Sequence, residues 1–173
     1  MHKLFEHQLE AVEIAKQSSN QRICLYYRTG SGKTLTSLLC MQAWNQDDVL
    51  VLAPPSTHNH WKKTAETLGI TVDTISHAKF RMSHYKLSKT KALIVDEMHL
   101  LGGYKAAGWM KLNLLSRHTT NSLLIWAVIF LSPLEHLVST TLSSCFISAT
   151  VLFPSNKLSS KAYSGIALLP KIS

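Results

Sequence analysis

The 173-residue sequence predicts an α/β fold, a three-layer sandwich built around a mostly parallel sheet. Continuous apolar runs at residues 49–53 and 92–95 are typical of strands covered on both faces, as in a parallel sheet. From residue 22 onward such strands alternate with segments of helical periodicity. We therefore expect right-handed crossovers that place the carboxyl ends of the strands at one edge.

The first element is predicted to be an amphipathic helix from about residue 4 to residue 16. Its apolar residues Phe5, Leu9 and Val12 recur at helical spacing. On composition alone, Gln8 is expected to face solvent.

The next segment has the order strand, tight glycine loop, helix. Gly30 and Gly32 let the backbone approach a polyphosphate, and the N–H groups that open the helix point at the anion. Lys33 would neutralise the β and γ phosphates, and the Thr34 hydroxyl would hold Mg²⁺. Tyr27 departs from the usual pattern, which has glycine at this position. The alternative for this string alone is a glycine-rich turn with a chance lysine.

The middle of the chain continues the alternation. Pro54 and Pro55 end the strand at residues 49–53, and a helix follows in which Trp61 and Ala65 have apolar spacing. A short strand is expected at residues 71–75. From residue 77 to residue 91, basic residues are interleaved with aromatic ones and no acidic residue occurs. That composition suits nucleic-acid binding, although a solvated basic helix face fits it equally well.

The run at residues 92–95 ends in two adjacent carboxylates, Asp96 and Glu97. A buried parallel strand delivers such residues to the sheet edge where ligands bind. Asp96 can hold Mg²⁺ there through water, and Glu97 can polarise a water for attack on the γ phosphate. The two acids and Lys33 therefore predict one phosphate-hydrolysing site.

One domain is expected, with a core at residues 1–115 and an atypical Ser/Leu-rich tail at residues 116–173. A helix is expected from residue 106 to about residue 115. The tail supplies strands that complete the sheet, or it is an aberrant continuation that folds poorly, and its composition does not separate these alternatives. Its apolar run at residues 123–131 is shorter than the ~20 residues that cross a membrane, so a buried strand is expected and no membrane partner.

Charge and cysteine content narrow the partners and the compartment. The net charge of +8 and the pI of about 9.5 favour an anionic partner, nucleic acid first. Cys24, Cys40 and Cys145 form no CxxC pair, which predicts reduced thiols in an intracellular protein. No secretory signal is apparent, so the expected location is the cytoplasm, or the host cytoplasm for a viral protein. His58 and His60 lack further ligands at a fitting spacing for a metal site.

With both acidic and phosphate-loop motifs in place, the chain resembles the first RecA-like domain of superfamily 2 helicases, particularly phage and bacterial DEAD/DEAH-box types. Residues 29–34 match motif I, which in this family often begins with alanine, and residues 96–99 look like motif II. Residues 51–56 followed by Trp61 are similar to motif Ia, which touches the phosphates of the tracked strand. Residues 148–150 match the Ser-Ala-Thr of motif III, which couples hydrolysis to strand movement.

The resemblance implies an ATP- and Mg²⁺-dependent helicase or translocase acting on nucleic acid, with DNA favoured over RNA. It implies Gln8 as an adenine contact, and a second RecA-like domain, supplied in trans, that closes over the nucleotide. The alternatives are a nucleotide- or nucleic-acid-binding fragment without useful turnover, and a small-molecule kinase, which the acid pair disfavours. The implied residues are Gln8, Thr29, Gly30, Ser31, Gly32, Lys33 and Thr34 for ATP, Thr34 and Asp96 for the metal, and Lys33, Asp96 and Glu97 for catalysis.

Overall fold

The structure, a computed structural model, describes residues 4–18, 21–27, 30–82, 92–101, 108, 124–128 and 150–152. Within these ranges the helices are α1 (Glu6–Gln17), α2 (Lys33–Ala43), α3 (His58–Glu66) and α4 (His77–Met82). The strands are β1 (Arg22–Tyr26), β2 (Asp48–Leu52), β3 (Thr71–Ile75), β4 (Ala92–Asp96), β5 (Leu124–Val128) and β6 (Thr150–Leu152). Short 3₁₀ turns occupy Pro55–Thr57 and Met98–Leu101.

The strands form one sheet in the order β3-β2-β4-β5-β1-β6, and every recorded pair is parallel. This confirms the predicted α/β class. β5 comes late in the chain yet lies between β1 and β4. Of the segment 116–173, the described residues are β5 and β6, and both pair with β1.

The central strands β2 and β4 are buried on both faces, as the uninterrupted apolar runs predict. Along β2, Val49 and Val51 belong to the core cluster shared with α1, α2 and α3. The alternate residues Leu50 and Leu52 point to the opposite face and are equally buried. The three-layer arrangement requires cover of this kind on both faces.

The buried face of α1 differs from the predicted one. Phe5 and Leu9 are 63% and 52% exposed, whereas Gln8, Ala11 and Ala15 are buried. The small alanine side chains let α1 approach α2 closely. The indole N–H of Trp44, at the C-terminal end of α2, donates to the Ala15 carbonyl at 2.7 Å. The expectation that Gln8 faces solvent is therefore wrong, because packing against the neighbouring helix and loop overrides apolar periodicity.

Other boundaries agree closely with the sequence pattern. β3 occupies residues 71–75 as predicted, and the apolar run at residues 123–131 contains β5. The predicted helix at residues 106–115 lies almost wholly outside the described residues. Among the helices that the structure describes, none is long and apolar enough to span a membrane.

Candidate nucleotide site

The phosphate loop and the acidic pair meet at the carboxyl edge of the sheet. Ala127 of β5 is in register with Leu25 of β1 on one side and with Asp96 of β4 on the other. Leu25 and Asp96 therefore lie at the same level, two strand spacings or about 10 Å apart. The segments that follow β1 and β4 consequently leave the same edge of the sheet, with β5 between the two strands.

The loop has the backbone conformation that its glycines permit. Gly30 and Gly32 both have φ of +80°, in the left-handed region. A Cβ built on Gly32 would collide with the Gln8 side-chain amide, whereas one on Gly30 would meet nothing within 4 Å. α2 begins directly after the loop, so the N–H groups that open the helix point toward the place where an anion would bind. Thr34 lies in this first turn.

The Lys33 side chain is buried. It is 8% exposed, and its Nζ donates to the Tyr27 carbonyl at 3.3 Å. Burial lowers the pKa of Lys33, while the charges of Asp96 and Glu97 act in the opposite direction. The three predicted catalytic residues are thus within electrostatic reach of one another.

Asp96 is a buried carboxylate held by an aromatic side chain. The Trp61 indole N–H donates to Asp96 Oδ2 at 3.3 Å, and both residues are buried. Burial raises the pKa of Asp96, and the Trp61 hydrogen bond and the Lys33 charge partly offset that rise. The carboxyl group is therefore oriented by the protein.

Backbone hydrogen bonds and an unusual backbone conformation also define the end of β4. The His77 ring nitrogen Nε2 donates to the Asp96 carbonyl at 2.8 Å, and His77 is buried. Glu97 has φ of +52°, a backbone conformation that is unfavourable for residues other than glycine. The chain turns sharply here, and the Glu97 carbonyl accepts a bond from the Leu100 N–H at 2.9 Å.

The start of α1 contacts the phosphate loop directly. Gln8 is 3% exposed; its oxygen accepts from the Phe5 N–H at 2.9 Å and its nitrogen donates to the Gly32 carbonyl at 3.4 Å. Its neighbour His7 places Nε2 3.0 Å from the Ser31 carbonyl. Gln8 is thus beside the predicted nucleotide site, with its amide bonded to backbone groups.

Two predicted motif segments are only partly described. Thr29, Ser148 and Ala149 lie outside the described residues. Thr150 begins β6 in register with Ile23, near the amino end of β1. About 10 Å of strand separates that level from the carboxyl edge. Thr150 is therefore not brought to Lys33 and Asp96.

Several contacts at the site were not predicted from the sequence. Trp61 was interpreted only as an apolar helix position and part of motif Ia, and no role was expected for His77 or His7. The mismatch at Tyr27 was a usable signal, because this tyrosine is buried against His7. No local pattern indicated the bonds of Trp61 and His77 to Asp96.

The donor set fits a nucleotide with Mg²⁺. A Cβ on Gly30 would meet nothing within 4 Å, and Lys33 interacts electrostatically with the two carboxylates. Across the described residues, no group of three or more His, Cys, Asp or Glu side chains could hold a metal by itself. Mg²⁺ is commonly bound by one or two carboxylates together with substrate phosphates. Thr34 and Asp96 would be its protein ligands.

The chain is similar to known proteins over more than half of its length. The AAA domain family matches residues 3–117, more than half of the chain. A relative from Acanthamoeba polyphaga mimivirus, which carries the provisional name ATP-dependent RNA helicase L538, is 28% identical over 104 residues. That match covers 57% of this chain and 23% of the relative, so the chain corresponds to about a quarter of that protein.

Proposed function

The chain belongs to the AAA domain family, and on that premise we propose that it is the ATP-binding motor domain of a nucleic-acid helicase or translocase. The observation that carries the proposal is the grouping of Lys33, Asp96 and Glu97 at one sheet edge. A buried lysine beside two acids, next to a left-handed glycine loop, supplies the groups that phosphoryl transfer to water requires.

Each side chain has a distinct role in this proposal. Lys33 holds the β and γ phosphates, and Thr34 and Asp96 hold Mg²⁺. Bound Mg²⁺ neutralises charge on the phosphate oxygens. Glu97 accepts a hydrogen bond from the attacking water and orients it. Burial of Asp96 and Lys33 excludes bulk water, which strengthens these charge interactions.

The nucleic-acid partner rests on charge and on the named relative. The chain carries a net charge of +8, and α3 and α4 expose Lys62, Lys63, Lys79 and Arg81. The mimivirus relative is named for RNA, whereas the motifs led us to favour DNA.

The proposal also includes a second RecA-like domain, supplied in trans or by a longer protein. Such a domain would contribute an arginine finger, a group worth several orders of magnitude in rate in related systems. The isolated chain should therefore bind ATP well and hydrolyse it slowly. A fragment that binds nucleotide or nucleic acid without turnover is the alternative.

The test is to compare nucleotide binding and phosphate release in Lys33→Ala and Glu97→Gln. Lys33→Ala should abolish ATP binding, and Glu97→Gln should keep binding while lowering turnover by about a hundredfold or more. Lys16→Ala and Glu66→Gln, at exposed positions, are the matched controls.

Turnover should rise when single-stranded nucleic acid is added, and DNA and RNA oligonucleotides of the same sequence identify the preferred partner. Nucleotide binding that is unchanged in Lys33→Ala would show that the site assignment is wrong. Binding of ATP without turnover under any of these conditions would favour the non-catalytic alternative.

A further inference from the structure

We propose that His7 is a positioning residue for the phosphate loop: together with Tyr27 it holds the peptide between Ser31 and Gly32 so that the Gly32 N–H faces the bound phosphates. The inference rests on the proposed nucleotide binding and goes beyond it, because it assigns a role to two residues outside the phosphate-loop pattern.

The central contact is between the His7 ring and the Ser31 carbonyl. His7 Nε2 lies 3.0 Å from the Ser31 oxygen. A carbonyl oxygen only accepts, so Nε2 carries the proton. No peptide bond in the described residues is cis, and in a trans peptide the N–H points opposite to the C=O. The bond from His7 therefore turns the Gly32 N–H away from α1.

The His7 ring is itself held in place from two sides. Phe5 stacks on it with ring centroids 5.7 Å apart, and Tyr27 meets it edge-on at 5.1 Å. The Tyr27 hydroxyl donates to the His7 carbonyl at 2.9 Å. Tyr27 is buried, and that burial raises its pKa, so the phenol keeps its proton and remains a donor. His7 is thus anchored through both its ring and its backbone.

The same arrangement gives a reason for tyrosine where the general pattern has glycine. The Tyr27 side chain is bonded to α1, and its own carbonyl accepts from Lys33 Nζ at 3.3 Å. One residue therefore connects the beginning of the loop, the lysine at its end and the helix beside it. Glycine at this position would provide neither the hydroxyl nor the ring.

The expected benefit is preorganisation of the anion site. A loop with two left-handed glycines has many unbound conformations, and ordering it on binding lowers the affinity for the ligand. A bond from α1 to the Ser31 carbonyl restricts the loop before the ligand arrives. The loss of this bond should weaken binding of the phosphate groups and leave contacts to the base unchanged.

The experiment measures displacement of a fluorescent ATP analogue from the full chain by ATP and, separately, by inorganic tripolyphosphate. His7→Ala should weaken both competitors by about tenfold, the value of one well-placed hydrogen bond. His7→Gln, which restores a donor, should recover affinity to within about threefold of the wild type. Tyr27→Phe, which lacks only the hydroxyl, should weaken both by about threefold.

His58→Ala is the matched control. His58 Nε2 contacts the Ala53 carbonyl at 3.0 Å, the same kind of bond at a turn outside the phosphate loop. Its removal should leave both affinities unchanged. Thermal unfolding of each variant identifies any that fails to fold, and if His7→Ala does so, Tyr27→Phe and His7→Gln decide the question.

Two results would overturn the proposal. In one, the wild type binds ATP while folded His7 and Tyr27 variants bind both competitors as tightly as the wild type does. In the other, His7→Ala weakens ATP but not tripolyphosphate, which would assign the ring to the base. Failure of the wild type to bind either competitor would instead contradict the proposed function.

Discussion

The indole N–H of Trp61 and the Oδ2 atom of Asp96 form a buried hydrogen bond of 3.3 Å that joins α3 to the end of β4. One carboxylate oxygen is thereby held by the protein before any cation binds. The group that would bind Mg²⁺ has its orientation determined by a helix 35 residues earlier in the chain. Second-sphere bonds of this kind commonly tune metal sites.

Trp61→Phe should therefore weaken the interaction with Mg²⁺. The substitution keeps an aromatic ring in the core but removes the N–H, so the Asp96 carboxylate gains rotational freedom. We expect the Mg²⁺ concentration for half-maximal ATP hydrolysis to rise by about tenfold, within the range reported for lost outer-sphere partners. Stability should fall by about 1 kcal/mol. A Mg²⁺ titration of phosphate release and of nucleotide binding measures the first effect.

Trp44→Phe separates this effect from a loss of stability. The Trp44 indole N–H also forms a buried bond, to the Ala15 carbonyl at 2.7 Å. Its removal should cost a similar amount of stability, about 1 kcal/mol, and leave the Mg²⁺ requirement unchanged. Equal Mg²⁺ requirements in the two variants would show that the bond to Asp96 is only structural.

Asp96→Asn should stabilise the nucleotide-free fold at neutral pH. Burial raises the pKa of Asp96 above its ordinary value. Because the pKa of this carboxyl group is higher in the folded state than in the unfolded state, its contribution to folding stability is fully present below the unfolded-state pKa. That contribution is lost as the pH rises through the folded-state pKa. Asparagine mimics the protonated state and avoids this loss. We expect a higher thermal midpoint than the wild type at pH 7.5, with a difference that shrinks toward pH 4.

Asp47→Asn provides the comparison, because it makes the same substitution at an exposed position before β2. It should leave the thermal midpoint nearly unchanged at both pH values. An Asp96→Asn variant that is less stable than the wild type at pH 7.5 would contradict the prediction. Such a result would mean that the attraction to Lys33 outweighs the cost of burying the carboxylate.

Backbone strain at Glu97 can be measured by comparing alanine with glycine. Glu97 has φ of +52°, a conformation that costs an L-residue about 1–2 kcal/mol and costs glycine little. Glu97→Ala and Glu97→Gly both lack the carboxylate, so lost side-chain contacts cancel in the comparison. We expect the glycine variant to be more stable by about 1 kcal/mol in chemical denaturation. Both variants should lose turnover.

Lys62 is the control position for this comparison, because it is exposed inside α3. There Lys62→Gly should be less stable than Lys62→Ala by about 1 kcal/mol, because glycine has a lower helix propensity than alanine. The same order at Glu97 would mean that the turn relaxes when the carboxylate is removed, and that no strain is stored there.

Local patterns were sufficient for most elements of this protein. β3 occupies the predicted residues, and α2 follows the glycine loop, because apolar runs, glycines and helix-opening residues act over a few positions. The same reasoning failed for α1, where Phe5 and Leu9 are exposed and Gln8 is buried. Periodicity identified a helix there but not its buried face, since alanines and a hydrogen-bonded glutamine pack more closely against α2 and the loop.

The sequence by itself determined that Lys33, Asp96 and Glu97 would meet at one edge, because parallel strands with crossovers bring their carboxyl ends together. Only the tertiary structure decided how they are held. β5 separates β1 from β4, and the bonds that orient the site come from Trp61, His77 and His7, between 19 and 35 residues away in the chain. Such contacts depend on the packing of whole elements, and no local spacing of residue types encodes them.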